Sequence, residues 1–245
     1  MKYFLSAMLV SLSLLVFSQT EEFKKARENQ TYHELRTTPT IPPYGLAKIK
    51  GLIKNLKTND DDIQAISVKD YQLLSLREKF TYHMIQAESY SQNCDIMPPV
   101  ENEQKKIFAQ LPADYNSEDV YEWSDRQKKF FIDNRDTVIK LMTESIKRIK
   151  RVGINFKEAI VLINAKEMIP LLVSTYNVSK KDHDILTVFM LLMKDNKYDA
   201  FLSSSSYKKL YADEDSSYQA FINYNKQNEE LIIKRVTEFY NGVHL

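Results

Sequence analysis

The sequence predicts an all-α protein, an irregular multi-helix bundle or a short stack of α-helical hairpins. Apolar residues recur at intervals of three and four along most of the chain, which is the period of an amphipathic helix. Only four of the 245 residues are glycine, against an average usage of roughly 7%. Because tight hairpin turns depend on glycine, we expect about eight to ten helices and no sheet.

The first eighteen residues are typical of a secretory signal peptide. Met1 and Lys2 form a short positive start, and Leu5 to Phe17 is apolar except for three serines. This run is shorter than the ~20 residues that a membrane-spanning helix needs. The small side chains of Val16 and Ser18 predict cleavage after Ser18. Residues 19–245 then form a single helical domain with no transmembrane segment.

The cysteine content bears on both export and stability. The signal peptide predicts export to the periplasm or the extracellular space. Because no cysteine lies at the predicted cleavage site, the exported chain is not expected to be a lipoprotein. Cys94 is the sole cysteine, which excludes a disulfide within the chain. The exported fold must therefore be stabilised by burial of apolar surface rather than by covalent links.

The segments before residue 100 predict three helices. A charged helix covers residues 21–36 and is followed by a proline-rich extended stretch. Apolar positions from Tyr44 onward predict an amphipathic helix that ends near Asn59. Ser67 is a good N-cap, and the apolar stripe after it predicts one helix running toward Ser89. Tyr90 to Pro99 is polar and proline-containing, which indicates a loop and makes it the best candidate for an internal boundary within the single domain.

Between residues 100 and 165, three more helices are predicted. A short helix spans Glu101 to Leu111. Ser117 or Ser124 then caps a long charged helix that Gly153 ends. Asn155, with Glu158 three residues later, resembles a capping arrangement for the next helix.

The last third of the chain contains the predicted centre of the core. Pro170 is expected in the first turn of a helix, where its missing amide costs least. Residues 185–193 are apolar except for Thr187, which predicts a helix surrounded by other helices. A serine run at 203–206 is expected to form a loop. The final helix should run from about Ser217 to Tyr240, with Gly242 as its C-terminal cap.

The charge balance excludes partners that are recognised mainly by electrostatic attraction. Removal of the signal peptide takes away one charge, that of Lys2, and leaves equal numbers of basic and acidic residues. A chain of zero net charge has no overall attraction for nucleic acid, for an anionic membrane or for acidic glycans. The sequence therefore predicts no nucleic-acid partner.

Several common chemistries are excluded because glycine, cysteine and histidine are scarce. Gly45 and Gly51 have the wrong spacing for a phosphate-binding loop, and no serine lies between two glycines as a nucleophile elbow requires. His33 begins like a zinc-protease motif, but Thr37 stands in the place of the second histidine. The sequence therefore predicts no cofactor and no metal site.

Three residues are candidates for catalysis. His83, on the helix after Ser67, precedes Cys94, so a Cys/His pair forms if the loop folds back against the helix. The alternative is a hydrogen-bonded histidine beside a packed thiol. His183 lies between Asp182 and Asp184, and either a carboxylate orients the imidazole or both acids favour a helix N-terminus.

Three functions remain open from the sequence, the third of which is a helical pocket that holds a ligand. The first is a non-enzymatic exported module that binds a protein or a cell-envelope component through a helical groove, a choice supported by the absence of a recognisable catalytic set. The alternative is an exported enzyme with a site around His83 and the 90–99 loop, since polar loops between rigid helices often carry sites.

Overall fold

The computed structural model describes residues 24–56, 64–92, 100–112, 119–212 and 220–243. Within these ranges the chain is mainly helical, which confirms the all-α multi-helix class. The helices are α1 (24–37), α2 (Leu46–Lys54), α3 (Val68–Gln72), α4 (Leu76–Ile85), α5 (Asp125–Asp133), α6 (Arg135–Ile149), α7 (Ile154–Leu162), α8 (Ile169–Ser179), α9 (Asp184–Asp195), α10 (Asp199–Leu202), α11 (Ser205–Tyr211) and α12 (Lys226–Val243). The strands are β1 (Ser89–Gln92), β2 (Lys106–Phe108), β3 (Asp119–Glu122) and β4 (Phe221–Asn223).

The four strands form two small antiparallel ribbons, so the expectation of no sheet is wrong. Strand β1 pairs with β3, with Ser89 opposite Glu122. Strand β2 pairs with β4, with Ile107 opposite Ile222. Scarce glycine disfavours tight hairpin turns. It does not prevent pairing here, because each ribbon joins segments that are distant in the sequence.

Helix α9 is the centre of the core, as the apolar run predicts. Every residue from Asp184 to Met193 is buried. The helix packs against α7, α8, α10, α12 and β2. A helix that is apolar on nearly all sides is stable only when other elements surround it, and this packing confirms the prediction.

The predicted helix from Ser67 to Ser89 is two helices. Ser67 does cap α3, because its hydroxyl accepts a hydrogen bond from the amide of Asp70 at 3.0 Å. Ser75 then starts α4 with a capping box, in which the Glu78 amide donates to Ser75 Oγ at 3.3 Å and the Ser75 amide donates to Glu78 Oε2 at 2.8 Å. This second cap separates the helices. Helix α2 ends at Lys54, so the predicted helix end near Asn59 is wrong.

The region from Glu101 to Ile149 differs from its predicted helices in two places. The short helix expected over 101–111 is wrong, since a 3₁₀ turn at Glu103–Lys105 leads directly into β2. Ser124 caps α5 as predicted, whereas Ser117 lies outside the described residues. The long charged helix is divided at Asn134, whose side-chain amide donates to the Phe130 carbonyl at 2.9 Å.

Four local predictions from Gly153 onward can be compared with the structure. Lys150, with a φ of 56°, takes the left-handed position after α6, and Gly153 precedes α7 instead of ending α6. Pro170 lies in the first turn of α8, which confirms its predicted place. Ser204 caps α11, so the serine run starts a helix. Gly242 lies inside α12 rather than at its cap.

A buried network of charged side chains joins helix α1 to the core. Arg36 donates hydrogen bonds to Asp184 at 3.0 and 3.1 Å, and its Nη1 lies 3.2 Å from Glu103. The fully buried Lys157 lies 2.6 Å from Asp182 and 3.7 Å from Asp184. A charge is stable away from water only when it is paired. The position of α1 therefore depends on the packing of α7 and α9.

Candidate functional site

A large open cleft of about 1240 Å³ lies between α2, the C-terminal end of α4, the β1–β3 ribbon and the first turn of α7. Its apolar lining includes Ile41, Ile53, Ile85, Trp123 and Ile154. Pockets for small molecules typically enclose about 300–1,000 Å³. The volume therefore suits a ligand longer than a single small metabolite.

Asn155 holds the floor of the cleft together. Its side-chain amide donates to the carbonyl of Met84 at 2.7 Å and to that of Thr40 at 2.8 Å, while its Oδ1 accepts from the Thr40 amide at 2.9 Å. Asn155 therefore joins α4, α7 and the 39–41 segment instead of capping α7, the role that the sequence predicts for it. These bonds make the floor a fixed surface.

His83 lies at the floor of the cleft but is 0% exposed. Its Nδ1 is 3.1 Å from Gln127 Nε2, and because an amide nitrogen only donates, Nδ1 accepts. Its Nε2 therefore carries the proton and donates to Tyr71 Oη at 2.9 Å. Burial lowers the pKa of His83 to about 3. The ring is thus neutral at pH 7 with both nitrogens engaged.

The carboxylate of Glu88 is the second buried polar group beside the cleft. Tyr82 Oη donates to it at 2.6 Å, Ser124 Oγ at 2.9 Å and Arg126 Nε at 3.1 Å. Burial by itself would raise the pKa of this carboxyl, but the bonds from Arg126, Tyr82 and Ser124 outweigh burial and hold the pKa below its ordinary value. Glu88 therefore remains ionised and fully bound by its neighbours.

Two further carboxylates, Glu158 of α7 and Glu122 of β3, line the cleft from different walls. The side chain of Glu158 is exposed to solvent. The protein atoms around its carboxyl raise the pKa of Glu158, opposed by the nearby Lys157 and assisted by Glu122. Glu122 accepts a hydrogen bond from Ser91 Oγ at 2.9 Å. The shift brings the change of charge of Glu158 closer to neutral pH.

The lysines Lys50 and Lys54 project into the cleft from α2, and Lys128 does so from α5. No ion pair joins any of the three to another described residue. Lys48, on the same helix, is instead paired with Glu78 at 3.0 Å. Within the described part of the chain, the α2 wall of the cleft therefore presents positive charge without an acidic partner.

The β1–β3 ribbon forms an aromatic wall. Tyr90 and Tyr121 lie opposite each other in the ribbon and both line the cleft. Tyr121 is 72% exposed. Trp123 follows the ribbon, and its Nε1 donates to the carbonyl of His83 at 2.8 Å. Within the described residues each strand pairs only with the other, so each has an outer edge without a strand partner.

The three sequence-predicted site residues do not form one constellation in the described structure. His83 contacts the cleft, and Cys94 lies outside the described residues. His183 is buried away from the cleft lining, stacked on Tyr224 with ring centroids 3.6 Å apart. Burial lowers its pKa to about 4. Asp182 and Asp184 bind Lys157 and Arg36 rather than the His183 ring.

The sequence patterns did not identify the charged and aromatic side chains that line the cleft. Lys50 and Lys54 had the pattern of an ordinary solvent-facing helix side. The sequence predicts Glu158 only as a partner in helix capping. The single tryptophan, Trp123, is the one signal in the sequence that pointed here, since tryptophan is frequent in binding surfaces.

The fold and the cleft together define an all-α protein with an open cleft that carries aromatic, lysine and glutamate side chains. No family model, curated protein or solved structure matches the chain. Among the described residues, no group of three or more His, Cys, Asp or Glu side chains is placed to hold a metal ion. None of the helices in the described ranges is long and apolar enough to cross a membrane.

Proposed function

We propose that this chain is an exported, non-enzymatic binding protein whose cleft holds an extended polypeptide segment of another protein or of a cell-envelope component. The observation that carries the proposal is the β1–β3 ribbon in the cleft wall, whose strands have outer edges unpaired within the described residues. Such an edge presents backbone donors and acceptors that match those of an extended chain.

The aromatic and aliphatic lining supports a polypeptide ligand. Tyr90, Tyr121 and Trp123 offer apolar surface with polar tips, which is the composition of protein-binding surfaces. The residues from Gln86 to Tyr90 also line the cleft. An extended ligand would use backbone hydrogen bonds for affinity and the aromatic wall for selection of its side chains.

The state of His83 favours binding over catalysis by that residue. A general base must reach the proton that it removes. The His83 ring has no exposed surface, and both of its nitrogens are already bonded. Its role in the proposal is to hold Tyr71 and Gln127 in place behind the cleft.

The test is selection from a random twelve-residue peptide library on the purified protein. We expect recovered peptides to bind the wild-type chain and to change the emission of Trp123, which is the only tryptophan. Tyr121→Ala should weaken this binding. Val178→Ala is the matched control, since Val178 is 76% exposed and does not line the cleft. Failure to recover any peptide that perturbs Trp123, or equal weakening by both variants, would refute the proposal.

A second candidate function is hydrolysis in the same cleft, and one observation favours it. A carboxyl whose pKa is raised, as for Glu158, exchanges a proton more readily near neutral pH, as a general acid or base must. In this alternative, His83 is a positioning residue beneath the site. Incubation of a selected peptide with the protein, followed by mass spectrometry, separates the two functions. Cleavage that is lost in Glu158→Gln favours the enzyme, whereas an intact peptide favours binding alone.

Export is part of the proposal and rests on residues 1–18, which lie outside the described residues. The intact mass of the protein recovered from the periplasm or medium tests it. A chain that begins at Gln19 supports cleavage after Ser18, and a chain that keeps Met1 and stays in the cytoplasm contradicts it.

A further inference from the structure

We infer that the segment held in the cleft carries acidic side chains at alternate positions, which face Lys50 and Lys54 of α2. This inference rests on the proposed function, because it specifies the chemistry of the polypeptide that the cleft binds.

The positive charge on the α2 wall has no partner in the described part of the chain. Lys50 and Lys54 both line the cleft, and neither forms an ion pair there. Helix α2 itself, Leu-Ala-Lys-Ile-Lys-Gly-Leu-Ile-Lys, contains no acidic residue. Ile53 lies between the two lysines in the lining. The wall is therefore suited to a ligand that has carboxylates and some apolar contact.

The spacing of the two lysines matches that of an extended chain. Residues four apart on a helix have Cβ atoms about 5–6 Å apart. In a strand, residues two apart lie about 6.4–6.8 Å apart and point to the same side. Carboxylates at positions i and i+2 of the ligand can therefore meet Lys50 and Lys54 one to one. The residue between them points the opposite way.

The other elements that line the cleft carry charges that influence how the ligand is oriented. Glu122 comes from β3, Glu158 from α7 and Lys128 from α5. Ligand carboxylates are repelled by these two acids and attracted by α2. The intervening ligand side chains are then directed toward Tyr90 and Trp123. The predicted ligand pattern is thus acidic, apolar, acidic along an extended segment.

The test is a charge reversal on α2 followed by a second selection from the same peptide library. We expect wild-type selection to enrich Asp or Glu at positions i and i+2, and the variant K50E/K54E to enrich Lys or Arg at those positions. A wild-type peptide should bind K50E/K54E at least about tenfold more weakly, since two attractive pairs become repulsive. Circular dichroism and urea unfolding confirm that the variant is folded.

The matched control is K140E/K147E, which makes the same change of charge on α6, outside the cleft lining. It should keep the acidic preference and bind within about twofold of wild type. Recovered peptides without acidic enrichment, or a preference that K50E/K54E leaves unchanged, would overturn the inference while the proposed polypeptide binding stands. Absence of any cleft-binding peptide refutes the proposed function itself.

Discussion

Arg36→Met removes the cation that joins α1 to the core. The Arg36 side chain is 5% exposed and donates to Asp184 at 3.0–3.1 Å. Its other terminal nitrogen lies 3.2 Å from Glu103, and its guanidinium stacks 4.0 Å above the ring of Phe108. Methionine can keep part of the contact with the ring. It leaves both buried carboxylates without their main counter-charge.

The expected loss of unfolding free energy is large. Removal of one partner from a buried ion pair costs about 3–5 kcal/mol, because the remaining charge is left uncompensated. Lys157 stays 3.7 Å from Asp184 and offsets part of this, so we expect about 3 kcal/mol. The whole stability of a domain is only about 5–15 kcal/mol. The change would therefore be a substantial part of the total.

The assay is urea unfolding of the purified chain, followed by circular dichroism. The control is Arg148→Met, since Arg148 is exposed on α6 and surface changes usually stay within about 0.5 kcal/mol. Hydrogen exchange should also show faster exchange of the α1 amides at 24–37 in the Arg36 variant. A loss of unfolding free energy below about 1 kcal/mol for Arg36→Met would refute the conclusion that this network stabilises the packing of α1 on the core.

Three further predictions follow from other sites. Burial holds the pKa of His83 near 3, so the unfolded chain binds more protons between about pH 3 and 6.5. The unfolding free energy contributed by neutral His83 is fully present above that window. It falls as the pH is lowered through the window, by up to about 1.4 kcal/mol per pH unit. His83→Gln should flatten the slope of unfolding free energy against pH, and an unchanged slope would contradict this. Gly153→Ala places a Cβ 2.1 Å from the backbone nitrogen of Thr40, so urea unfolding should show a loss of about 1–3 kcal/mol. Gly51→Ala should instead gain up to about 1 kcal/mol of unfolding free energy, because no atom lies within 4 Å of the added Cβ. Equal effects of Gly153→Ala and Gly51→Ala would rule out the steric cause. The surrounding protein raises the pKa of Glu158, so acidic peptides should bind more tightly as the pH is lowered and this repelling charge is lost; Glu158→Gln should remove this dependence, and an unaltered pH profile would disprove it.

The elements that the sequence predicted correctly are governed by local interactions. Ser67 and Ser124 cap helices because each side chain reaches an amide two or three residues ahead. Pro170 starts α8 because its ring suits the first turn. The apolar run of α9 predicts burial on all sides. Such contacts involve neighbours in the chain, so a single stretch of sequence contains the necessary information.

The candidate site was predictable only as a region. The sequence singled out His83 and the polar stretch after it, and His83 does contact the cleft. The chemistry on the cleft walls depends on Lys50, Trp123 and Glu158, which come from three distant segments. Because ordinary surface helices also carry lysine and glutamate, their local pattern does not distinguish a cleft from open solvent.

The sequence by itself determined the helical class, most helix starts and the helix at the centre of the core, because these follow from local propensity, capping and apolar period. The tertiary structure decided which distant segments pair as ribbons and which charges are buried. Strand pairing needs a partner elsewhere in the chain, as for Ser89 and Glu122. Burial of Arg36 or Lys157 needs carboxylates that only folding brings within hydrogen-bond distance.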